Sequence, residues 1–362
     1  MALTDFVAGQ VLTAQQLDDS FAAVDWNENV IINGAMQVAQ YGTTSAFNSG
    51  AKPVTADRFA VYNDIGAAGT VTVENDAPTG SGFRKSMKVL YTAAAASPAG
   101  AMSGVIFQYI EGQNLQLFRK GTADAKTFVV SFWVKSNVTG NYVVQLRDRD
   151  NNRSVSALYT INASATWEKK TITFPKDTTG TFDNDNGGSL QVIFFQAAGT
   201  GYTSGTLQTT WGAHSDATSA AGQTNLAAAI NNYWQFTGVQ VQPERESQFA
   251  FLDYGTVFAQ CQRYFETQDW QANRFRLFVS YVTSATANSY IMYQPKRATP
   301  SFAWSANGSA RYVYNGGNVV GSQTLTADYS SYNGTSVSTS STFASSTGWV
   351  DSAGTLSISA EL

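Results

Sequence analysis

Apolar residues recur along this chain with two periods, one helical and one of two residues. In LTAQQLDDSFAAVDW, Leu17, Phe21 and Val24 fall at helical spacing. Thr13 and Gln16 form a capping box there, and Leu12 and Leu17 occupy the two positions of a hydrophobic staple. The pattern predicts a short amphipathic helix of about three turns starting at Ala14. Nothing nearby in sequence covers its apolar stripe, so Leu12, Leu17, Phe21 and Val24 are expected to dock on another chain and serve assembly.

After a loop rich in Gly, Ser and Asn the period becomes two. TFVVSFWVKS places Phe128, Val130, Phe132 and Val134 on one face, and NYVVQLRDRD does the same with Tyr142, Val144 and Leu146. SLQVIFFQA is apolar on both faces, as a strand covered on both sides must be. The turn signals NVTGN, RDRDNNR, DTTG and DNDNGG separate these segments at the spacing of an antiparallel sandwich. The expected architecture is all-β: a jelly-roll β-sandwich over residues 53–243, then a linker or short helix over 244–268, then a smaller C-terminal β-sandwich domain over 269–362. Residues 1–52 form an N-terminal segment carrying the short α-helix. Val257, Cys261 and Phe265 sit at i, i+4 and i+8, which predicts a short helix burying the thiol.

Charge narrows the function classes. Only 13% of the 362 residues are charged, about half the usual share, and the polar load falls on Ser, Thr, Asn, Gln and Gly. A net charge of -4 gives no basic field for a phosphate backbone, so nucleic-acid binding is not expected. One Cys and one His exclude a disulfide framework within the chain and any Cys/His metal cluster. No apolar run reaches the length of a membrane-spanning helix, and MALTDFVAGQ lacks the basic start and apolar core of a signal peptide.

Candidate chemistry is sparse. Cys261 lies among Val257, Phe258, Tyr264 and Phe265, far in sequence from His214, and reads as a packing residue rather than a nucleophile. His214, Ser215 and Asp216 are adjacent, and adjacent residues do not converge as a catalytic triad. Three carboxylate pairs could serve glycan hydrolysis: Asp148 with Asp150, Asp183 with Asp185, and Glu244 with Glu246. All sit in polar, turn-like contexts that keep carboxylates solvated. Asp183 and Asp185 could instead help clamp a structural calcium ion, although DNDNGG lacks the downstream Glu of an EF-hand loop; otherwise no cofactor is expected. Eight Trp and many Tyr and Phe on a neutral, amide-rich chain suit the stacking of sugar rings. Trp133 and Trp234 lie on strands and are expected in the core.

Several stretches carry a family resemblance when read in order. They are FVAGQVLTAQQLDDSF, NVIINGAMQVAQYGTTS with TADRF, FQYIEGQNLQLFRKGTADAKTFVVSFWVKSNVTGNYVVQL, NRSVSALYTINASATWEKKTITFPKDTTGTF, FTGVQVQPERESQFAF and AQCQRYF. Over residues 6–268 the chain resembles bacteriophage tail-fibre and virion fibre proteins with a jelly-roll domain like that of carbohydrate-binding modules. Gln40, Tyr41 and Gly42 depart from the Gln-Arg-Gly common in that group, and FLDYG replaces its usual Phe-Glu-x-Arg link. The resemblance implies a non-enzymatic virion component, an external appendage such as a tail fibre. It further implies a homotrimer, attachment to tail or capsid proteins through the N-terminus, and a distal C-terminal domain that meets host surface polysaccharide. Aromatic candidates for that contact are Trp270, Tyr281, Tyr290, Tyr293, Trp304, Tyr312, Tyr314, Tyr329, Tyr332 and Trp349. The competing readings are an architectural head fibre, capsid decoration or tail adaptor, and a polysaccharide depolymerase.

Overall fold

The computed structural model describes residues 11, 13, 29–48, 50–53, 55–283, 286–304, 310–314, 319–323, 326–331, 334–340 and 347–362. The helix expected from Ala14, with Leu12, Leu17, Phe21 and Val24, lies outside the described residues. The chain divides into two compact units, Met1–Tyr254 and Gly255–Leu362.

The first unit contains β1 (Thr44–Phe47), β2 (Gly50–Pro53), β3 (Ala60–Asn63), β4 (Gly69–Glu74), β5 (Ser86–Tyr91), β6 (Ser103–Glu111), β7 (Phe128–Ser136), β8 (Gly140–Asp148), β9 (Arg153–Ile161), β10 (Glu168–Phe174), β11 (Gly188–Ala198), β12 (Gly212–Ala213) and β13 (Tyr233–Pro243). Six strands form one sheet in the order β1-β4-β5-β13-β7-β10, and seven form the other in the order β12-β9-β8-β11-β6-β3-β2. The described strand pairs are all antiparallel, and the result is a jelly-roll β-sandwich.

The core between the sheets follows from alternation. Phe128, Val130, Phe132 and Val134 of β7 meet Tyr142, Val144 and Leu146 of β8 and Leu190, Val192 and Phe194 of β11 in one buried cluster. Aromatic rings thread through it. Phe194 lies 5.1 Å from Phe132, 5.4 Å from Phe236 and 5.8 Å from Trp234, and the Trp234 indole donates to the Tyr159 hydroxyl at 3.1 Å. Pairs of this kind add about 1 kcal/mol each beyond the area they bury. Trp234 is fully buried as expected, whereas Trp133 is only half-buried, on the outer side of its sheet.

The sandwich starts before residue 53. β1 pairs with β4 and β2 with β3, and Ile31, Met36 and Phe47 enter the core. Side chains in NVIINGAMQ do the work that ladder hydrogen bonds do elsewhere. Asn29 Oδ1 accepts from the amides of Ile31 and Val241, and Asn33 bonds four backbone groups between Gln37 and Asp57. Gln108 pairs with both backbone groups of Ile32, at 2.9 and 3.0 Å. Asn33 itself has φ +60°, a left-handed conformation that Asn tolerates better than most residues. These local amide bonds carry no hydrophobic period, which is why the segment reads as loop.

The second unit opens with the helix Tyr254–Gln262, where Val257 and Cys261 are buried; Phe265 is buried too, but already in the following strand. Cys261 is thus a packing residue. β14 (Phe265–Thr283), β15 (Thr286–Met292), β16 (Ser301–Trp304), β17 (Ala310–Tyr314), β18 (Val319–Gln323), β19 (Thr326–Ser330), β20 (Gly334–Ser340) and β21 (Thr347–Ser359) follow. They join in one eight-stranded sheet with β14 and β21 as its longest pair. Inside it, the Lys296 ammonium sits 3.0 Å from Glu266 Oε2, both side chains buried.

Candidate functional site

The outer face of the seven-stranded sheet is where the sandwich departs from a plain alternation of buried and solvated residues. Val105, Phe107, Val143, Ile193 and Phe195 point away from the main core and form a second buried cluster with Ala220. Tyr62, Tyr109, Tyr202 and Leu207 pack against it, half-buried. A strap over residues 199–225, with the short helix Thr200–Thr203, covers this apolar part. Gln223 pins it by accepting from the Val143 amide at 2.7 Å and donating to the Phe195 carbonyl at 3.1 Å. Gln208 adds a bond to the Ser154 carbonyl, and the Ser156 hydroxyl donates to the Ser219 carbonyl.

Beyond the strap the same face turns polar. Strand register places Ser154 opposite Arg147, Arg147 opposite Gln191 and Gln191 opposite Tyr109, a row across four adjacent strands. At about 4.8 Å between strands the row spans roughly 14 Å. Tyr109 meets Phe107 edge to face at 5.2 Å, and the Arg149 guanidinium lies 5.9 Å from the Tyr109 ring centroid. The Tyr62 hydroxyl donates to Asp64 at 3.0 Å, a bond that raises its pKa. Arg147 is half-buried, and its Nε is buried without a hydrogen-bond partner. Burial and the neighbouring Arg149 charge both lower its pKa. A half-buried aromatic and two guanidiniums on one sheet face can pack on a ring and bond its substituents, whereas Gln191 is buried beneath them.

His214 stands at the edge of this row. Its Nδ1 is 3.1 Å from Ser154 Oγ and its Nε2 is 3.0 Å from Asp216 Oδ1. A Ser, a His and an Asp are therefore in line, although the serine is Ser154 and not the adjacent Ser215. Ser154 is only 1% exposed beneath the strap, so no substrate carbonyl can reach its hydroxyl. The bonds fasten β12 to β9 instead, where Gly212 pairs with Ser154. Burial and the Arg147 charge lower the His214 pKa, against an opposing pull from Asp216.

The carboxylate pairs separate. Asp148 is fully buried rather than solvated: its Oδ2 lies 2.6 Å from Lys120 Nζ, and its Oδ1 accepts from the amides of Asp150 and Asn151. Lys120 also donates to the carbonyls of Thr179 and Gly180 and lies 3.2 Å from Asp177, which Arg153 holds at 2.8 Å. The rings of Phe182 and Trp211 cover the ammonium at 5.1 and 5.4 Å. Two Asp-bearing turns thus close around one lysine. Burial alone would raise the Asp177 pKa, but Arg153, the Thr179 amide and Lys120 bring it below the usual range. Asp150 Oδ2 accepts from the Asp183 amide across the two turns, and Asp185 Oδ1 accepts from the Gly187 amide as in an ordinary Asx turn. The nearby Asp150 charge raises the pKa of exposed Asp183. Glu244 pairs with Lys126 at 3.6 Å, and Glu246 with Lys169. Among the described residues no three His, Cys, Asp or Glu are grouped to hold a metal.

Of the C-terminal aromatic candidates, Tyr293 is buried, tilted against Phe302 at 5.8 Å, with its hydroxyl donating to the Ser331 carbonyl. It offers no open ring face. Tyr290 is exposed. Side chains of Trp270, Tyr281, Trp304, Tyr312, Tyr314, Tyr329 and Trp349, and Tyr332 as a whole, lie outside the described residues. Neither Tyr109, Gln191 nor the two arginines stood out in the sequence, yet one signal was there: in LRDRD, the period of a strand puts Arg147 and Arg149 on one side and Asp148 on the other.

Neither any family model nor any curated protein matches the chain. Solved structures similar to it include the enzymatically active domain of tailspike protein 4 from bacteriophage CBA120, at 14% identity and TM-score 0.33, covering 61% of this chain and 23% of that one. A putative sugar-binding protein from Bacteroides thetaiotaomicron shares 10% identity at TM-score 0.33, covering 60% of this chain and all of that one (100%). The family 11 carbohydrate-binding module of a Clostridium thermocellum cellulosomal cellulase shares 12% identity at TM-score 0.29, covering 56% of this chain and 98% of the module. Likenesses of this degree assign neither ligand nor activity to the chain.

Proposed function

We propose that this chain is a non-catalytic fibre subunit of a bacteriophage virion that binds host-surface glycan, and that the sandwich contributes a glycan contact on the outer face of its seven-stranded sheet. The observation that carries the glycan reading is the half-buried pair Tyr109 and Arg147 with the exposed Arg149, a ring and two guanidiniums on adjacent strands of one sheet face. Support for the virion comes from the ordered sequence stretches of residues 6–268. Homotrimerisation, particle attachment through the N-terminal segment and a distal contact by the C-terminal unit belong to the same proposal. Multivalent display would let weak sugar contacts add into firm adhesion.

Adsorption competition tests it. Purified full-length chain added to host cells before the phage should bind the cells saturably, be displaced by extracted surface polysaccharide, and block adsorption. A chain that neither binds cells nor slows adsorption would be an architectural fibre, decoration or adaptor. Release of oligosaccharides from the polysaccharide would establish a depolymerase instead.

A further inference from the structure

Many of the described lysines of this chain face a carboxylate. Lys88 faces Glu74, Lys120 faces Asp148 and Asp177, Lys135 faces Asp76, Lys169 faces Glu246, and Lys170 faces Glu168. Arg147 and Arg149 are different. They lie two residues apart on the outer side of β8 and its extension, close enough for their charges to oppose one another. Asp216, whose charge partly offsets that opposition at Arg147, is bonded to His214, and Asp64 is bonded to the Tyr62 hydroxyl and the Ser103 amide. Arg147 Nε has lost water without gaining a partner. Two like charges side by side, one of them partly desolvated, cost stability unless a ligand repays it.

We infer that the glycan taken by this face is acidic, a sugar whose carboxylate docks against the Arg147 and Arg149 guanidiniums beside Tyr109. The inference rests on the glycan-binding reading above and adds the ligand class. A guanidinium fork matches the planar carboxylate and binds it through two parallel hydrogen bonds. Arg149 stacked near Tyr109 sets the charge beside the ring, the spacing that a carboxylate on a pyranose requires.

The full chain applied to an array of neutral, uronate-bearing and sialate-bearing glycans tests this. Binding should concentrate on carboxylated glycans, disappear when their carboxyl groups are reduced to alcohols, and weaken as salt rises. Arg149→Gln alters an exposed side chain and should leave the fold intact while weakening binding about tenfold; Arg147→Gln should act in the same direction. Equal binding to neutral or carboxyl-reduced glycans, or full binding by Arg149→Gln, overturns the acidic class and leaves the glycan reading standing. No binding to any arrayed glycan, with none to host polysaccharide, overturns both.

Discussion

The ammonium of Lys120 sits where two carboxylates and two backbone carbonyls converge, in a chain that otherwise spends few charges. Water is absent from this cluster's interior sides, since Lys120, Asp148 and Asp177 are each at most 4% exposed. Removing one partner then leaves the others charged and desolvated. Lys120→Met keeps the apolar stem, strands Asp148 against Asp177, and should destabilise the sandwich by about 3–5 kcal/mol. The readout is the urea midpoint of the full chain, and an unshifted midpoint would mean that desolvation cancels the pairing. This cluster was poorly legible in sequence. RDRDNNR and DTTG read correctly as turns, but the lysine they share lies 28 residues before Asp148, and no local pattern links them. Taking Asp148 as solvated was the error, because its place on β8 turns it opposite to Arg147 and Arg149.

At the scale of elements, legibility followed the covering of each face. Strands with one face in the core showed their period, and β11, apolar on both faces, correctly announced cover on both sides. What covers its outer face, the strap over 199–225, has no period at all, being held by glutamine side chains and backbone bonds such as Ala220 N to the Tyr202 carbonyl. The strap should be the part of the sandwich that responds to acid. His214 has its pKa lowered by burial first and by Arg147 second, so the folded chain favours the neutral ring. The unfolded ring takes its proton near pH 6.5. Stability from this site is therefore complete above that pH and is lost as the pH falls below it toward the folded pKa. Protection of strap amides, with exchange rates corrected for their intrinsic pH dependence, should fall on going from neutral to mildly acidic buffer, and His214→Gln should flatten that dependence. The same slope in the variant would assign it to another group.

For the whole molecule, the fold class was readable because alternating strands and Asx-rich turns repeat over long stretches. The row through Arg147 and Tyr109 was not, because it depends on register among β9, β8, β11 and β6, which no single segment encodes. Register also shapes the second unit. Its first strand, β14, pairs with its last, β21, from Phe265 opposite Ser359 to Ser280 opposite Thr347. What lies between them is bound to that ladder as well, since β15 pairs with β14, and β16 and β17 pair with β21. A chimera that keeps 265–283 and 347–362 but carries the intervening residues of a similar chain should therefore express as a folded chain only if strands equivalent to β15, β16 and β17 can pair with that root. Misfolding of the first unit in such chimeras would show that the two strands do not isolate what they enclose.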